Sequence, residues 1–317
     1  MKLQTHIQLT PENNQIDYKS KVLLLGSCFT ENIGGKLEYF KFQNLQNPFG
    51  IIFNPVSILG LVERAIRNEY FTEADIFQKE ENWYCFEVHS SISSESEATF
   101  LTKLNNTLQQ YKEYLSVASH IVLTCGTAWV YRYNTTGLLV ANCHKVAQKE
   151  FSKELLSVET ISTSLEKTIA LIKEVNPHAM VITTVSPVRH SKDGMTENAR
   201  SKAHLITALH QVVDRDEGIR YFPSYEIMMD ELRDYRFYKQ DMLHPNETAI
   251  QIIWEKFRRV WVASETETLQ KEIDTIQKGL EHRPFNPESV SHKEFLKNLQ
   301  KKISVLQKRV SHVTFSK

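Results

Sequence analysis

The chain has 317 residues, with 38 basic side chains balanced by 38 acidic ones and 41% hydrophobic residues. That is enough apolar material for a full core, which excludes a disordered chain. The absence of net charge removes the usual drive toward nucleic acid or toward a solvating acidic tail. The start, MKLQTHIQLTPENNQIDYKS, has no charged leader, apolar run or small-residue cleavage site, so a cytoplasmic protein is expected. No apolar run reaches the roughly 18 residues that would span a bilayer, so no membrane partner is expected. Cys28, Cys85, Cys125 and Cys143 are not spaced as a zinc ribbon or redox pair, and neither a metal, a disulfide nor a cofactor is expected.

The first strong element is VLLLG, a continuous apolar run that reads as a buried strand and leads into a turn carrying Ser27. HIVLTC, AMVITTV and IRYFP read as further buried strands. SILGLVERAIRNE, LTKLNNTLQQYKEYL, ISTSLEKTIALIKEV and ARSKAHLITALHQVV carry apolar residues at helical spacing. The alternation predicts a mostly parallel sheet covered on both faces, with ligands at the carboxyl ends of its strands. Ser27 and Thr127 both fall just after a predicted strand and so share that edge.

Near the far end, DMLHPN places Asp241 and His244 three residues apart, ahead of the helix TAIQIIWEKFRRVW. Serine is a weak nucleophile until a neutral imidazole takes its proton, and the imidazole needs a carboxylate to fix its tautomer. Ser27, His244 and Asp241 supply nucleophile, base and orienter. Pro245 biases His244 toward extended backbone and suits the first turn of the following helix. Cys28 is an alternative nucleophile, and Asp241, His244, His144 and His190 an alternative metal set, but the set has no compact ligand motif and leaves Ser27 unexplained. GSCFTENIGGK lacks the spacing of a phosphate-binding loop.

GSCF together with GTAWVY, ANCHK, TVSPVRH, ARSKAHL, YFPSYEIMMDELRDYRFY and DMLHPNETA resembles the GSCFA family, which is similar to the SGNH or GDSL-like hydrolases. The resemblance spans roughly residues 20 to 260. It implies a three-layer α/β/α hydrolase fold in which Ser27 is the nucleophile and Asp241 and His244 complete the triad. In SGNH hydrolases the oxyanion is held by the serine amide, a glycine amide and an asparagine side chain. Gly50 in NPFGIIFNP fits the glycine, whereas LTCGTAWVY carries Ala128 where the asparagine is expected. Thr127 or Asn142 is then expected as the side-chain donor. His144 and Lys145 in ANCHK, and Arg189 and His190 after the strand VITTVSPV, are expected substrate contacts; a cationic pair there suits an anionic or sugar-linked substrate.

From Ala263 onward the composition turns polar and helical. Leu269, Ile273, Ile276 and Leu280 form one stripe, and Phe295, Leu299, Ile303, Leu306 and Val310 a second beyond Pro284 and Pro287. Residues 1–262 are therefore expected to form the hydrolase-like domain and 263–317 a helical hairpin that packs on that domain or on a second copy, giving a homo-oligomer. The expected activity is hydrolysis of a small-molecule or carbohydrate ester, acetyl esters included, through an acyl-enzyme. The alternatives are an O-acyltransferase and a catalytically silent binding protein on the same fold.

Overall fold

The computed structural model describes residues 4–315. In chain order its first half contains β1 (Lys21–Gly26), α1 (Cys28–Tyr39), β2 (Gln43–Gln46), α2 (Pro55–Arg67), β3 (Phe77–Lys79), β4 (Asn82–Tyr84), α3 (Glu97–Val117) and β5 (His120–Cys125). There follow β6 (Trp129–Tyr133), β7 (Leu139–Val140), β8 (Phe151–Leu155), α4 (Val158–Val175), β9 (Met180–Val185), α5 (Met195–Val213) and β10 (Ile219–Tyr221). A short α6 (Ser224–Glu226) runs into a π-helical turn, and α7 (Glu247–Trp261), α8 (Glu267–Glu281) and α9 (Val290–Arg309) complete the chain.

Five strands form a parallel sheet in the order β10-β9-β5-β1-β2, with Leu23 level with Ile121 and Val181, and Leu24 level with Val122 and Ile182. Successive side chains of a strand point to opposite faces. Leu23, Leu25, Ile121, Leu123 and Val181 accordingly enter the core covered by α2 to α5, while Val22, Leu24, Val122 and Ile182 enter the core covered by α1 and α7 to α9. The result is the expected three-layer α/β/α sandwich. Polar β2, QNLQ, was illegible as a strand because it is an edge, paired only to β1 and half-buried throughout. The hairpin β3-β4 and the antiparallel sheet β7-β6-β8 are likewise additions to the simple alternation.

The C-terminal hairpin belongs to the second core. α8 buries Ile273 and Ile276, and α9 buries Leu299, Ile303 and Leu306, against the same cluster as α1 and α7. Tyr39 Oη donates to Asp274 Oδ1 at 2.8 Å and Gln277 Nε2 donates to the Tyr39 carbonyl at 3.1 Å, fastening α8 to the end of α1. The centres of both apolar stripes, which were expected to serve self-association as an alternative, are used within the chain.

Two features fix the carboxyl edge of the sheet. Gly26 ends β1 at φ +127°, and a Cβ there would stand 2.0 Å from the Thr124 carbonyl oxygen of β5. Only glycine allows β1 to turn into α1 so close to its neighbour. On the other side of the sheet Lys202 of α5 is 1% exposed, and its Nζ donates to Gly126 O at 2.7 Å and Ser186 O at 2.8 Å, the residues directly after β5 and β9. No carboxylate pairs with it among the described residues, and burial lowers its pKa to about 7.

Gly26→Ala is expected to lose at least about 1–3 kcal/mol from the backbone strain alone, read from denaturant unfolding. Lys202 binds a proton in the unfolded chain up to its ordinary pKa, but in the folded chain only below about 7. The wild type should therefore gain stability relative to Lys202→Met as pH rises above about 7 toward the unfolded value, a difference measurable by unfolding both proteins across that range.

Candidate active site

Ser27 stands between β1 and α1, 1% exposed, as the N-cap of α1. Its Oγ accepts from the Phe29 amide at 3.4 Å, the one hydrogen bond it makes among the described residues. The turn is held from both neighbouring strands: Gly26 N donates to Asn47 Oδ1 at 2.9 Å, and Thr30 Oγ1 donates to Thr124 Oγ1 at 2.9 Å. The positive end of α1 faces Ser27 Oγ and favours negative charge there.

Asp241 and His244 lie on the loop before α7. Asp241 Oδ1 accepts from the amides of Leu243 and His244, each at 2.9 Å, while Oδ2 meets His244 Nδ1 at 2.6 Å. One oxygen thus shapes the turn and the other holds the ring. These amide bonds, then the imidazole contact, hold the Asp241 pKa down at about 2, so the carboxylate is ionised and keeps the imidazole proton on Nδ1. Nε2 is left with a free lone pair and no partner among the described residues. A bridge between Tyr238 and Pro245 closes the loop, and Asn246, the α7 cap, donates from Nδ2 to Arg236 O at 2.6 Å. Ser27 Oγ and His244 do not hydrogen-bond in this structure.

A groove of about 410 Å³ runs beside the His244 loop, lined by Phe53, Thr127, Trp129, Asn142, His190 and Leu243 among others. Gly126 lies between its wall and Ser27, since a Cβ on Gly126 would be 3.3 Å from both Ser27 Cβ and Phe53 Cβ. His190 sets its ring edge-on against Phe53 with centroids 5.3 Å apart. Its Nε2 is sealed from solvent without a hydrogen-bond partner among the described residues. Burial lowers the His190 pKa to about 4, with Lys202 and His244 adding to the effect against Asp193, so the ring is neutral at neutral pH.

The other expected residues fare differently. Ser27 N donates to Thr124 O at 3.2 Å and Gly50 N to Asn47 O at 2.7 Å, so neither amide is free for an oxyanion in this structure. Thr127 lines the groove, but its hydroxyl bonds Ser201 Oγ at 3.1 Å and accepts from Trp129 N. Asn142 lines the groove with Oδ1 engaged by the His144 amide. His144 is corrected: it is 3% exposed, Nε2 bonds the Cys85 carbonyl at 2.7 Å, and the ring packs among Phe77, Tyr84 and Phe86, so it is a core histidine of the β3-β4 hairpin. Lys145 follows it on an exposed turn outside the groove, its carbonyl accepting from Lys79 Nζ. Arg189 Nη1 donates to Tyr238 Oη at 2.6 Å, bracing the segment after β9 against the loop that carries Asp241 and His244. Cys28 begins α1, and burial raises its thiol pKa, which disfavours the thiolate. Among the described residues no three His, Cys, Asp or Glu side chains gather as metal ligands, and no helix is long and apolar enough to cross a membrane.

Asn47 and Lys202 were missed. Lys202 was detectable, because it falls in step with Leu205, Leu209 and Val212 on the buried stripe of α5. Asn47 gave only an Asn-Pro turn signal, which says nothing of its bond to Gly26.

No curated protein sequence matches the chain. Among solved structures, a carbohydrate esterase family 3 protein from Talaromyces cellulolyticus is similar at 9% identity and TM-score 0.35, with 80% of this chain and 99% of that chain covered. An acetyl esterase mutant with acetate ion is similar at 10% identity and TM-score 0.33, with 80% and 99% covered. An acetyl xylan esterase from the rumen bacterium Butyrivibrio proteoclasticus is similar at 11% identity and TM-score 0.34, with 84% and 65% covered. Residues 21–257 match the GSCFA family and residues 273–317 match the GSCFA domain protein, C-terminal domain. On these matches, which take in most of its length, the chain belongs to the GSCFA family.

Proposed function

We propose that the protein is a serine ester hydrolase that uses Ser27, His244 and Asp241. The observation that carries this reading is the 2.6 Å bond between His244 Nδ1 and an ionised Asp241, which leaves Nε2 as a base on the strand edge where Ser27 caps α1. In the reaction Nε2 takes the Ser27 proton as Oγ bonds to the ester carbon. The tetrahedral oxyanion then collapses, the imidazolium returns that proton to the leaving alcohol, and an acyl-Ser27 remains. Water activated by the same imidazole releases the acid and restores the serine; an acceptor hydroxyl in place of water makes the protein an O-acyltransferase.

Hydrogen bonds between nucleophile and base lengthen in empty sites and tighten when substrate is bound. Because Nε2 must reach Ser27 Oγ for this chemistry, the reading requires the His244 loop to close onto Ser27. A groove of about 410 Å³ suits a small ester, with acetyl esters of small alcohols or sugars the first class to try. The second reading, a catalytically silent binding protein, draws on two observations: Ser27 Oγ makes no hydrogen bond to an imidazole among the described residues, and the amides of Ser27 and Gly50 are both engaged.

Turnover of p-nitrophenyl acetate and intact mass after fluorophosphonate treatment decide between them. Ser27→Ala should abolish both turnover and the single adduct, and Asp241→Asn should lower kcat by about 10⁴ while the fold persists. Because the Asp241 pKa lies near 2, an acid limb of kcat/KM at milder pH should not track the titration of this carboxylate. A folded wild type that neither turns over esters nor labels establishes the binding protein instead.

A further inference from the structure

The carbonyl oxygen of an ester becomes fully negative in the tetrahedral intermediate, and a hydrolase needs donors aimed at it. Three of the donors first expected are engaged: Ser27 N on Thr124 O, Gly50 N on Asn47 O, and the Thr127 hydroxyl between Ser201 and Trp129, while Asn142, whose Oδ1 takes the His144 amide, keeps its Nδ2 as a competing donor. His190, a groove residue, has its Nε2 buried and unmatched among the described residues. A shielded nitrogen without a partner costs about 1–3 kcal/mol, and native proteins keep few of them unless a ligand completes the bond.

Its surroundings link it to Ser27 through two intervening residues. The ring lies edge-on to Phe53, Phe53 packs on Gly126, and Gly126 packs on Ser27. On the groove's other side Leu243 brings in the loop of His244. The His190 amide donates to Oδ1 of buried Asn198 at 2.9 Å, and Lys202 holds Ser186 O at the start of the same segment, so the ring is carried by a fastened backbone.

We propose that His190 is a catalytic residue of the same ester chemistry, its Nε2–H donating to the substrate's carbonyl oxygen as that oxygen takes on charge. The inference rests on the Ser27–His244–Asp241 reading and fills the position that Ala128 leaves without a side-chain donor. No proton leaves His190; the hydrogen bond strengthens toward the tetrahedral state and relaxes as the acyl-enzyme forms. Lys202 and His244 face the ring as cations or potential cations and Asp193 as the opposing anion. Burial, with Lys202 and His244 adding to it and Asp193 opposing, holds the ring neutral, and a neutral ring does not compete with His244 for the Ser27 proton.

The test compares wild type with His190→Phe, His190→Leu, His190→Gln, Asn142→Ala, Ser27→Ala and His244→Ala in the full chain. It reads p-nitrophenyl acetate kinetics and the rate of fluorophosphonate labelling, with thermal melting to confirm folding. Whichever donorless variant folds should lower kcat and the labelling rate by about 10²–10³ with KM little changed. His190→Gln, which keeps an N–H, should recover part of that loss, and the pH dependence of kcat/KM should keep its shape. Wild-type kcat in a folded donorless variant, a loss confined to Asn142→Ala, or His190→Gln no better than His190→Leu overturns the proposal. If Ser27→Ala and His244→Ala are dead while the donorless variants are not, this inference alone falls. If His244→Ala stays active and the donorless variants are dead, His190 is the base and the triad reading falls with it. A wild type that neither turns over nor labels rejects both.

Discussion

The organising constraint is the passage from β1 to α1 within two residues. A buried parallel strand has neighbours on both sides, so a chain leaving it can change direction sharply only where a residue without a side chain adopts a left-handed conformation. Gly26 does this against the Thr124 carbonyl, and Asn47, just after the edge strand, takes up the amide that the turn would otherwise leave unpaired. Ser27 is then delivered to the helix start with its hydroxyl on the positive end of α1. Everything else at the carboxyl edge is arranged about this point: Gly126 because it must lie against Ser27, Phe53 because it packs on Gly126, and His190 because it packs on Phe53.

The opposing half of the site is built on different physics. Its loop is neither deeply buried nor braced by a strand, and both Asp241 and His244 are partly exposed. Order comes from a single carboxylate that serves as turn former through Oδ1 and as imidazole partner through Oδ2, so the backbone shape and the ring orientation are the same choice. Arg189 and Asn246 add two further ties, to Tyr238 and to Arg236. Ser27 therefore sits on a fastened turn, whereas His244 is carried by a lightly tethered loop.

Much of this was legible in the chain itself. Continuous apolar runs marked four of the five sheet strands, and helical spacing marked the helices between them, because both faces of the sheet are buried and leave no ambiguity of period. The places of Ser27 at a strand end and of Asp241 and His244 before a helix were legible from the flanking apolar runs. What escaped notice depends on partners distant in sequence. β2 is polar because an edge strand need not be apolar on both sides. His144 shared the ANCHK segment with a groove residue, yet a left-handed backbone at φ 47° turns its ring into the aromatic core. Lys202 was hidden by the general rule that lysines face water, which fails where two carbonyl oxygens wait at strand ends.

The two faces of the sheet are completed at different moments of synthesis. Helices α2 to α5 are all made by Val213, so one face is covered as soon as the strands they flank have emerged from the ribosome. The other face has α1 and the short segment around Ile227 and Met228 until α7, α8 and α9 arrive late in the sequence, and Val22, Leu24, Val122 and Ile182 stay only partly covered until then. A nascent chain paused after β10 is thus a sheet with one greasy side open, the kind of intermediate that chaperones bind. On this view the C-terminal hairpin closes the last open part of that core and so limits the chain's exposure to aggregation.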